Sequence, residues 1–290
     1  MKFAIFGNSY QTKKCEKIAE LFDVLNRCGD CYSIEHRFYE FLKENNLEHV
    51  KPVEIIYDDN FTADIVISFG GDGTLLRTAG CVGSKGFPIL GLNAGRLGFL
   101  TTTWSIDIEN IIAKLHDNNY DIEERGLIYV TTEGEDLKNY PYALNEIAIM
   151  KHDSSSMITL ETTLNEEDKI IYQADGLIVS TPSGSTGYSL SVGGPIIAPN
   201  ADVMILTPIA SHSLNMRPLV VNDNTTVRIK VNSRSHNFLI AIDGRNESCE
   251  ESTVLTIRKA PYYQRIIRSK GGTFIKNLHD KMMWGADTRE

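Results

Sequence analysis

The stretch VISFGGDGTLLRTA, from Val66 to Ala79, decides the fold. VISF reads as a buried strand and TLLRTA as a helix. Between them stand Gly70, Gly71, Asp72 and Gly73. A strand that ends in glycines and opens into a helix brings backbone N–H groups, and the positive end of the helix, against an anion. Neither G-x-x-x-x-G-K-[ST] nor G-x-G-x-x-G is present, so this is not one of the two common phosphate fingerprints. The unusual residue is Asp72. A carboxylate beside phosphates is repelled unless a cation bridges them or it accepts a proton from an attacking hydroxyl. On its own, Asp-Gly is also a favoured turn pair.

Outward from this turn, strand and helix alternate. KFAIFG is a strand; Thr12 to Asn26 and Ser33 to Asn45 read as helices; VEIIY, DIVISF and PILGLN are further short strands. This alternation predicts a parallel, Rossmann-like sheet covered on both faces. After Trp104 the texture changes. A helix is expected over Ile106 to His116, followed by strand upon strand: LIYVTTE, LNEIAIM, MITLETTL, KIIYQADGLIVSTP, TTVRIKVN, FLIAID and TVLTIRK. FIKNLHDKMMWG reads as a final helix. The expected division is therefore an α/β phosphate-donor domain, residues 1–104 with segment 274–290 packing back on it, and a mostly β domain over residues 105–273.

The 290 residues, 42% hydrophobic and 23% charged, suit an ordinary globular protein able to bury a large core. A formal net charge of −9 argues against nucleic-acid or anionic-membrane binding. No apolar run approaches a membrane span. The N-terminus lacks a signal-peptide pattern and reads as the first strand of a cytoplasmic protein. Five cysteines, an odd number, do not suggest a disulfide framework. Cys28 and Cys31 form C-G-D-C, but Cys15, Cys81 and Cys249 stand alone. With no second cysteine pair, they read as free thiols at a helix end, and no metal is expected there.

GGDGT between a buried strand and a helix resembles the motif of a kinase superfamily that includes NAD kinases, diacylglycerol and sphingosine kinases and, more distantly, phosphofructokinases. Other motifs choose among these. Asn145 and Glu146, in YALNEIAI, resemble the NE motif of NAD kinases. DGLIVSTPSGSTGYSLSVGGPI, from Asp175 to Ile196, resembles their longest signature, and GLNAGRLGFL, from Gly91 to Leu100, their segment after the fourth strand. Several motifs in the family's order cover most of the chain from Ile65 to Arg217. The chain is identified as resembling the NAD kinase family. Against a lipid kinase stand the acidic charge, the absence of a membrane-binding segment and GSTGYS.

The resemblance implies an α/β N-terminal domain and an all-β, sandwich-like C-terminal domain that carries the NAD site. It implies transfer of the ATP γ-phosphoryl group to the 2′-hydroxyl of the adenosine ribose of NAD, with Mg²⁺ held mainly by the nucleotide. Asp72 is the implied base, and Gly70, Gly71, Gly73 and Thr74 the phosphate cradle. Substrate contacts are expected from Asp72, Gly73, Asn145, Glu146 and Asp175, and from Ser183, Thr186, Gly187, Tyr188, Ser189, Leu190 and Ser191. Arg77, one turn beyond the glycines, is a candidate phosphate contact. Arg245, in the Asp243-Gly244-Arg245 turn, stands where many members have a neutral residue. His212 matches a family histidine and reads as structural. A homodimer or homotetramer meeting through the C-terminal domain is also implied.

Overall fold

The computed structural model describes residues 1–8, 15–47, 50–93, 98–101, 107–153 and 156–285. The first part of the chain forms β1 (Lys2–Gly7), α1 (Cys15–Arg27), β2 (Cys31–Glu35), α2 (His36–Glu44), β3 (Glu54–Ile56), β4 (Ile65–Phe69), α3 (Asp72–Val82), β5 (Ile89–Leu92) and α4 (Ile108–His116). Then come β6 (Asp121–Glu133), β7 (Tyr142–Ala143), β8 (Glu146–Lys151), β9 (Ile158–Leu164), β10 (Asp168–Ala174), β11 (Gly176–Ser180) and α5 (Tyr188–Ser191). The last elements are β12 (Val203–Ile209), β13 (Leu219–Asn222), β14 (Val227–Asn232), β15 (Asn237–Ile242), β16 (Arg245–Glu250), β17 (Val254–Arg268) and α6 (Phe274–Met282). Two compact units result: Met1–Glu124 with Gln264–Glu290, and Arg125–Tyr263.

In the first unit the strands run parallel in the order β5-β4-β1-β2-β3. Lys2 pairs with Cys31, Phe3 with Ile65 and Val66 with Ile89. Strands β4 and β5 are buried along their whole length, as a sheet covered on both faces requires. Phe3, Ile5, Ile67 and Leu90 meet α1, α2 and α4 through Leu21, Phe22, Phe38, Leu42, Ile111 and Leu115. Helix α3 lies on the opposite face, where the Thr78 hydroxyl is 3.1 Å from that of Ser68. α4 thus packs with the first unit, which extends past residue 104 to Glu124.

The helix expected from Ser33 is corrected. Cys31–Glu35 is strand β2, because Tyr32 and Ile34 reach the core beside β1 and that burial outweighs helical propensity. Glu35 then ends the strand and caps α2, its carboxylate accepting from Phe38 N at 3.0 Å. The starts expected at Thr12 and Ile106 fall outside the described residues.

The second unit is a pair of packed antiparallel sheets. One has the order β13-β12-β11-β8-β15-β16; the other contains β10-β9-β14-β17. Ile147, Leu177, Phe238 and Ile240 of the first meet Leu160, Val227, Ile229 and Leu255 of the second in one core. KIIYQADGLIVSTP is not a single strand: Asp175 carries the chain from β10 in one sheet to β11 in the other. Strands β12, β13 and β16 were not expected from the sequence. No helix among the described residues is long and apolar enough to cross a membrane.

Phe238 is fully buried between the two sheets. Phe238→Ala is expected to lower unfolding free energy by about 3–5 kcal/mol, measured by urea denaturation; a loss within experimental error would contradict this packing.

Candidate active site

Helix α3 begins at the glycine turn because Gly71 is extended (φ −82°, ψ −173°) and its carbonyl accepts from Thr74 N at 2.9 Å and Leu75 N at 3.2 Å. Gly70 has to be glycine, since a Cβ there would strike the Thr74 side chain. Beside Gly73 there is open space among the described residues, and beside Gly71 only the Asn93 amide at 3.9 Å. The first-turn N–H groups of Asp72 and Gly73 have no acceptor within the helix, so an anion can approach them.

Asp72 is engaged. Its Oδ2 accepts from Phe99 N at 2.6 Å. Its Oδ1 accepts from Leu100 N at 3.2 Å, Thr101 N at 2.9 Å and the Thr101 hydroxyl at 2.8 Å. Gly98 allows this approach, because a Cβ there would collide with the Asp72 carboxylate. From the same unit, Arg268 donates to Leu100 O at 3.1 Å and Phe99 O at 3.4 Å while Glu123 holds its Nε at 3.0 Å. The segment 99–101 is therefore gripped by a carboxylate on its N–H groups and a guanidinium on its carbonyls. Residues 94–97 of the GLNAGRLGFL motif lie outside the described residues.

Arg77 is engaged within its own unit. It donates to the Gly7 carbonyl and reaches Glu35 at 3.4 Å, tying the end of β1 to the start of α2.

In the second unit Asp243 organises the NE motif. Asp243 and Gly244 form the turn between β15 and β16, both with positive φ (45° and 77°). The Asp243 carboxylate accepts from Leu144 N at 2.7 Å, Asn145 N at 2.8 Å and Glu146 N at 3.1 Å. Burial pushes Asp243 up, and these three donors and the Arg245 charge oppose that. Burial, then the Asp243 charge, raises Glu146 from 4.5 to about 7, against a lowering hydrogen bond from the Tyr188 backbone. Burial raises both carboxyls; three N–H donors favour the charged form of Asp243, whereas Glu146 has one, from the Tyr188 backbone. Glu146 Oε2 and Asn145 Oδ1 are buried without a hydrogen-bond partner among the described residues.

The serine-rich loop folds against this pair. The Thr181 hydroxyl donates to Leu144 O at 2.6 Å, and Gly184 packs on the Asn145 backbone so closely that a Cβ would overlap it. A Cβ at Gly187 would stand 2.7 Å from Glu146 Oε2. The hydroxyls divide into two sets. Ser183 accepts from buried Arg125 at 3.0 Å, and Ser189 pairs with Thr207 at 2.9 Å, so both face inward. Thr186 and Leu190 are partly exposed, and Tyr188 and Ser191 exposed. Asp175 pairs with Lys151 at 2.8 Å. Arg245 donates to Tyr142 O at 2.6 Å and Tyr140 O at 3.3 Å, within a cluster of tyrosines. His212 is exposed.

Sequence reasoning missed Asp243 as an organiser, and it missed Arg268 and Arg125 altogether. The Asp-Gly hairpin signal and the family resemblance of its turn pointed at Asp243, but not at its role; the partners of all three are remote in sequence.

A helix start open to anions, with a carboxylate at its first residue, is the equipment of a phosphotransferase. Residues 3–120 match the ATP-NAD kinase N-terminal domain and residues 144–269 the ATP-NAD kinase C-terminal domain, so the chain belongs to the NAD kinase family. An NAD kinase of Bacteroides fragilis is 50% identical over 289 residues, covering 100% of both chains. One from Flavobacterium psychrophilum is 43% identical over 298 residues, again covering 100% of both. Among solved structures, a yeast NADH kinase complexed with NADH shares the fold with a TM-score of 0.88 at 20% identity, over 100% of this chain and 89% of that one. An Archaeoglobus fulgidus NAD kinase in complex with ATP has a TM-score of 0.73 at 24% identity, over 98% and 99%. The activity of the family is the conversion of NAD and ATP to NADP.

Because Glu146 binds its proton more tightly when folded, the folded chain holds more protons than the unfolded one between pH 4.5 and about 7. Stability is therefore lost as pH rises through that window. Urea midpoints measured from about pH 5 to 8 are expected to show this fall in the wild type and a smaller one in Glu146→Gln. Parallel curves for the two proteins would contradict it.

Proposed function

We propose that Asp72 is the base that accepts the 2′-hydroxyl proton of the adenosine ribose of NAD as the γ-phosphoryl group of ATP arrives. One observation carries this reading. Among the described residues Asp72 Oδ1 accepts three hydrogen bonds and Oδ2 only one, from Phe99 N. A carboxylate has about four lone-pair sites, two on each oxygen, so Oδ2 retains one. It stands at the head of α3, beside N–H groups suited to the transferring phosphoryl group. The same carboxylate thus holds its loop with both oxygens, and Oδ2, which carries a single bond, keeps a site on which to receive the proton.

The remaining roles follow from which polar atoms lack partners. Glu146 and Asn145 present buried, unmatched acceptors, and an unmatched buried acceptor costs about 1–3 kcal/mol. Ribose hydroxyls and the adenine amino group are donors of the right kind to meet them. Ionised Glu146 is the stronger acceptor, so NAD affinity rises with pH near its titration. Tyr188, exposed on the adjoining loop, offers a ring for stacking, with Thr186, Leu190 and Ser191 around it. Ser183 and Ser189 act by fixing the loop. Asp175 would meet the dinucleotide while paired through one oxygen with Lys151, Arg245 while held by the tyrosine carbonyls through one nitrogen, and Arg77 is assigned to bracing β1 and α2.

Mg²⁺ belongs to the donor: it would enter with ATP and offset the charge of the phosphates. Among the described residues no group of three His, Cys, Asp or Glu within ligand reach forms at the glycine turn. Self-association is assigned to the second unit, where Leu214, Leu219 and Val220 are exposed on and beside edge strand β13. Five free cysteines support a cytoplasmic setting.

Purified protein given MgATP and NAD is expected to form NADP, detected with an NADP-specific dehydrogenase. Asp72→Asn is expected to lower kcat by roughly 10²–10⁴-fold, the range for a lost general base, at every Mg²⁺ concentration. Thr101→Val removes a hydrogen bond from Oδ1 and spares the carboxylate, so its turnover should stay within a few-fold of wild type. Near-normal turnover in Asp72→Asn, or recovery at high Mg²⁺, would remove the base role.

A further inference from the structure

The C-G-D-C segment lacks a second cysteine pair in sequence, but the fold brings it other ligands. Cys28, Asp30 and His116 each offer a ligand atom, and these atoms all lie within 4.8 Å of one another. We propose that Cys28, Asp30 and His116 bind a divalent transition metal of the zinc class.

The local backbone sets the first two ligands rigidly. Helix α1 ends at Gly29 in a left-handed conformation (φ 70°), with Asp30 N donating to Leu25 O at 3.0 Å and Gly29 N to Asn26 O at 3.1 Å. This is a glycine C-cap of the Schellman type, and it places Cys28 and Asp30 on either side of one fixed residue. The third ligand comes from the last turn of α4, which shares a core with α1 through Leu21, Leu25, Ile111 and Leu115. Asp30 is buried, its side chain 1% exposed. Its Oδ1 meets the Met1 amine at 2.8 Å, and its Oδ2 meets His116 Nε2 at 2.9 Å. Cys28 and His116 are open to solvent, which gives an ion its way in.

The chemistry of the set selects the metal. Thiolate and imidazole favour zinc or cobalt(II) over magnesium or calcium, which prefer oxygen. Bond lengths of about 2.0–2.3 Å around a tetrahedral ion separate ligand atoms by roughly 3.3–3.8 Å, so small movements of two exposed side chains complete the site. Three protein ligands leave the fourth position to water. The ion replaces the Asp30–His116 hydrogen bond with bonds to both, and binding releases the Cys28 thiol proton.

The site is remote from phosphoryl transfer. Cys31 pairs with Lys2 at the N-terminal edge of the parallel sheet, whereas Gly7 pairs with Phe69 at the C-terminal edge, next to the glycine turn. The metal accordingly clips the α1–β2 turn to the end of α4 and acts on stability.

Metal-free full-length protein, without nucleotide, is titrated with Co²⁺. One equivalent per chain and a thiolate-to-cobalt charge-transfer band are expected. The band should vanish in Cys28→Ala, binding should weaken at least about tenfold in His116→Gln, and both should persist in Cys31→Ser. Zn²⁺ should raise the melting temperature of the wild type and not of His116→Gln, with excess Mg²⁺ unable to compete. No charge-transfer band, a band unchanged by His116→Gln, or a band lost in Cys31→Ser would overturn the site.

Discussion

In each unit one aspartate accepts three consecutive backbone N–H groups, and the functional residues are placed by that capture. Asp72 takes the amides of Phe99, Leu100 and Thr101. Asp243 takes those of Leu144, Asn145 and Glu146. Three adjacent N–H groups aimed at one point form a concave donor surface of the kind that binds anions. Here the anion is built into the chain. A charged acceptor makes each bond stronger than a neutral one would, so residues 99–101 and the entry to β8 are each held through three backbone N–H groups.

The consequences differ because the surroundings differ. Around Asp72 the capture leaves an oxygen with spare capacity at a helix start, where phosphate binding is favoured and Gly73 leaves room. Arg268 completes the grip from the carbonyl side, which leaves the carboxylate free to serve chemistry as well as structure. Around Asp243 the capture is buried, and its charge falls on the neighbouring Glu146. Strain, unmatched acceptors and a displaced titration gather at the NE motif, as expected where a site is kept ready for a ligand at some expense in stability.

What was legible in the sequence was local. The glycine turn, the parallel strands on either side of it and the serine-rich loop all announce themselves within a dozen residues. What was not legible depended on distance along the chain. Asp72 and its amide partners are 27 to 29 residues apart, and Asp243 and its partners 97 to 99. Spacing cannot reveal such contacts. Ser33–Glu35, the end of β2, was read as the start of a helix because burial along this strand is decided by pairing with β1, not by neighbours in sequence. The serines of the loop looked equivalent, and only burial separates Ser183 and Ser189, turned inward, from Ser191. Likewise C-G-D-C looked unsupported because its third ligand, His116, stands 86 residues beyond Asp30.

The central claim is that Asp72 serves its loop and its substrate at once, the proton going to Oδ2, the oxygen that holds only one amide. Residue-resolved amide hydrogen exchange tests it directly, comparing free protein with protein holding NAD and an ATP analogue whose γ-phosphoryl group cannot be transferred. The account predicts that the Leu100 and Thr101 amides, held by Oδ1, stay protected when both ligands bind. Loss of protection at these two amides on binding would contradict it, because Asp72 would then have to release the loop in order to meet the ribose.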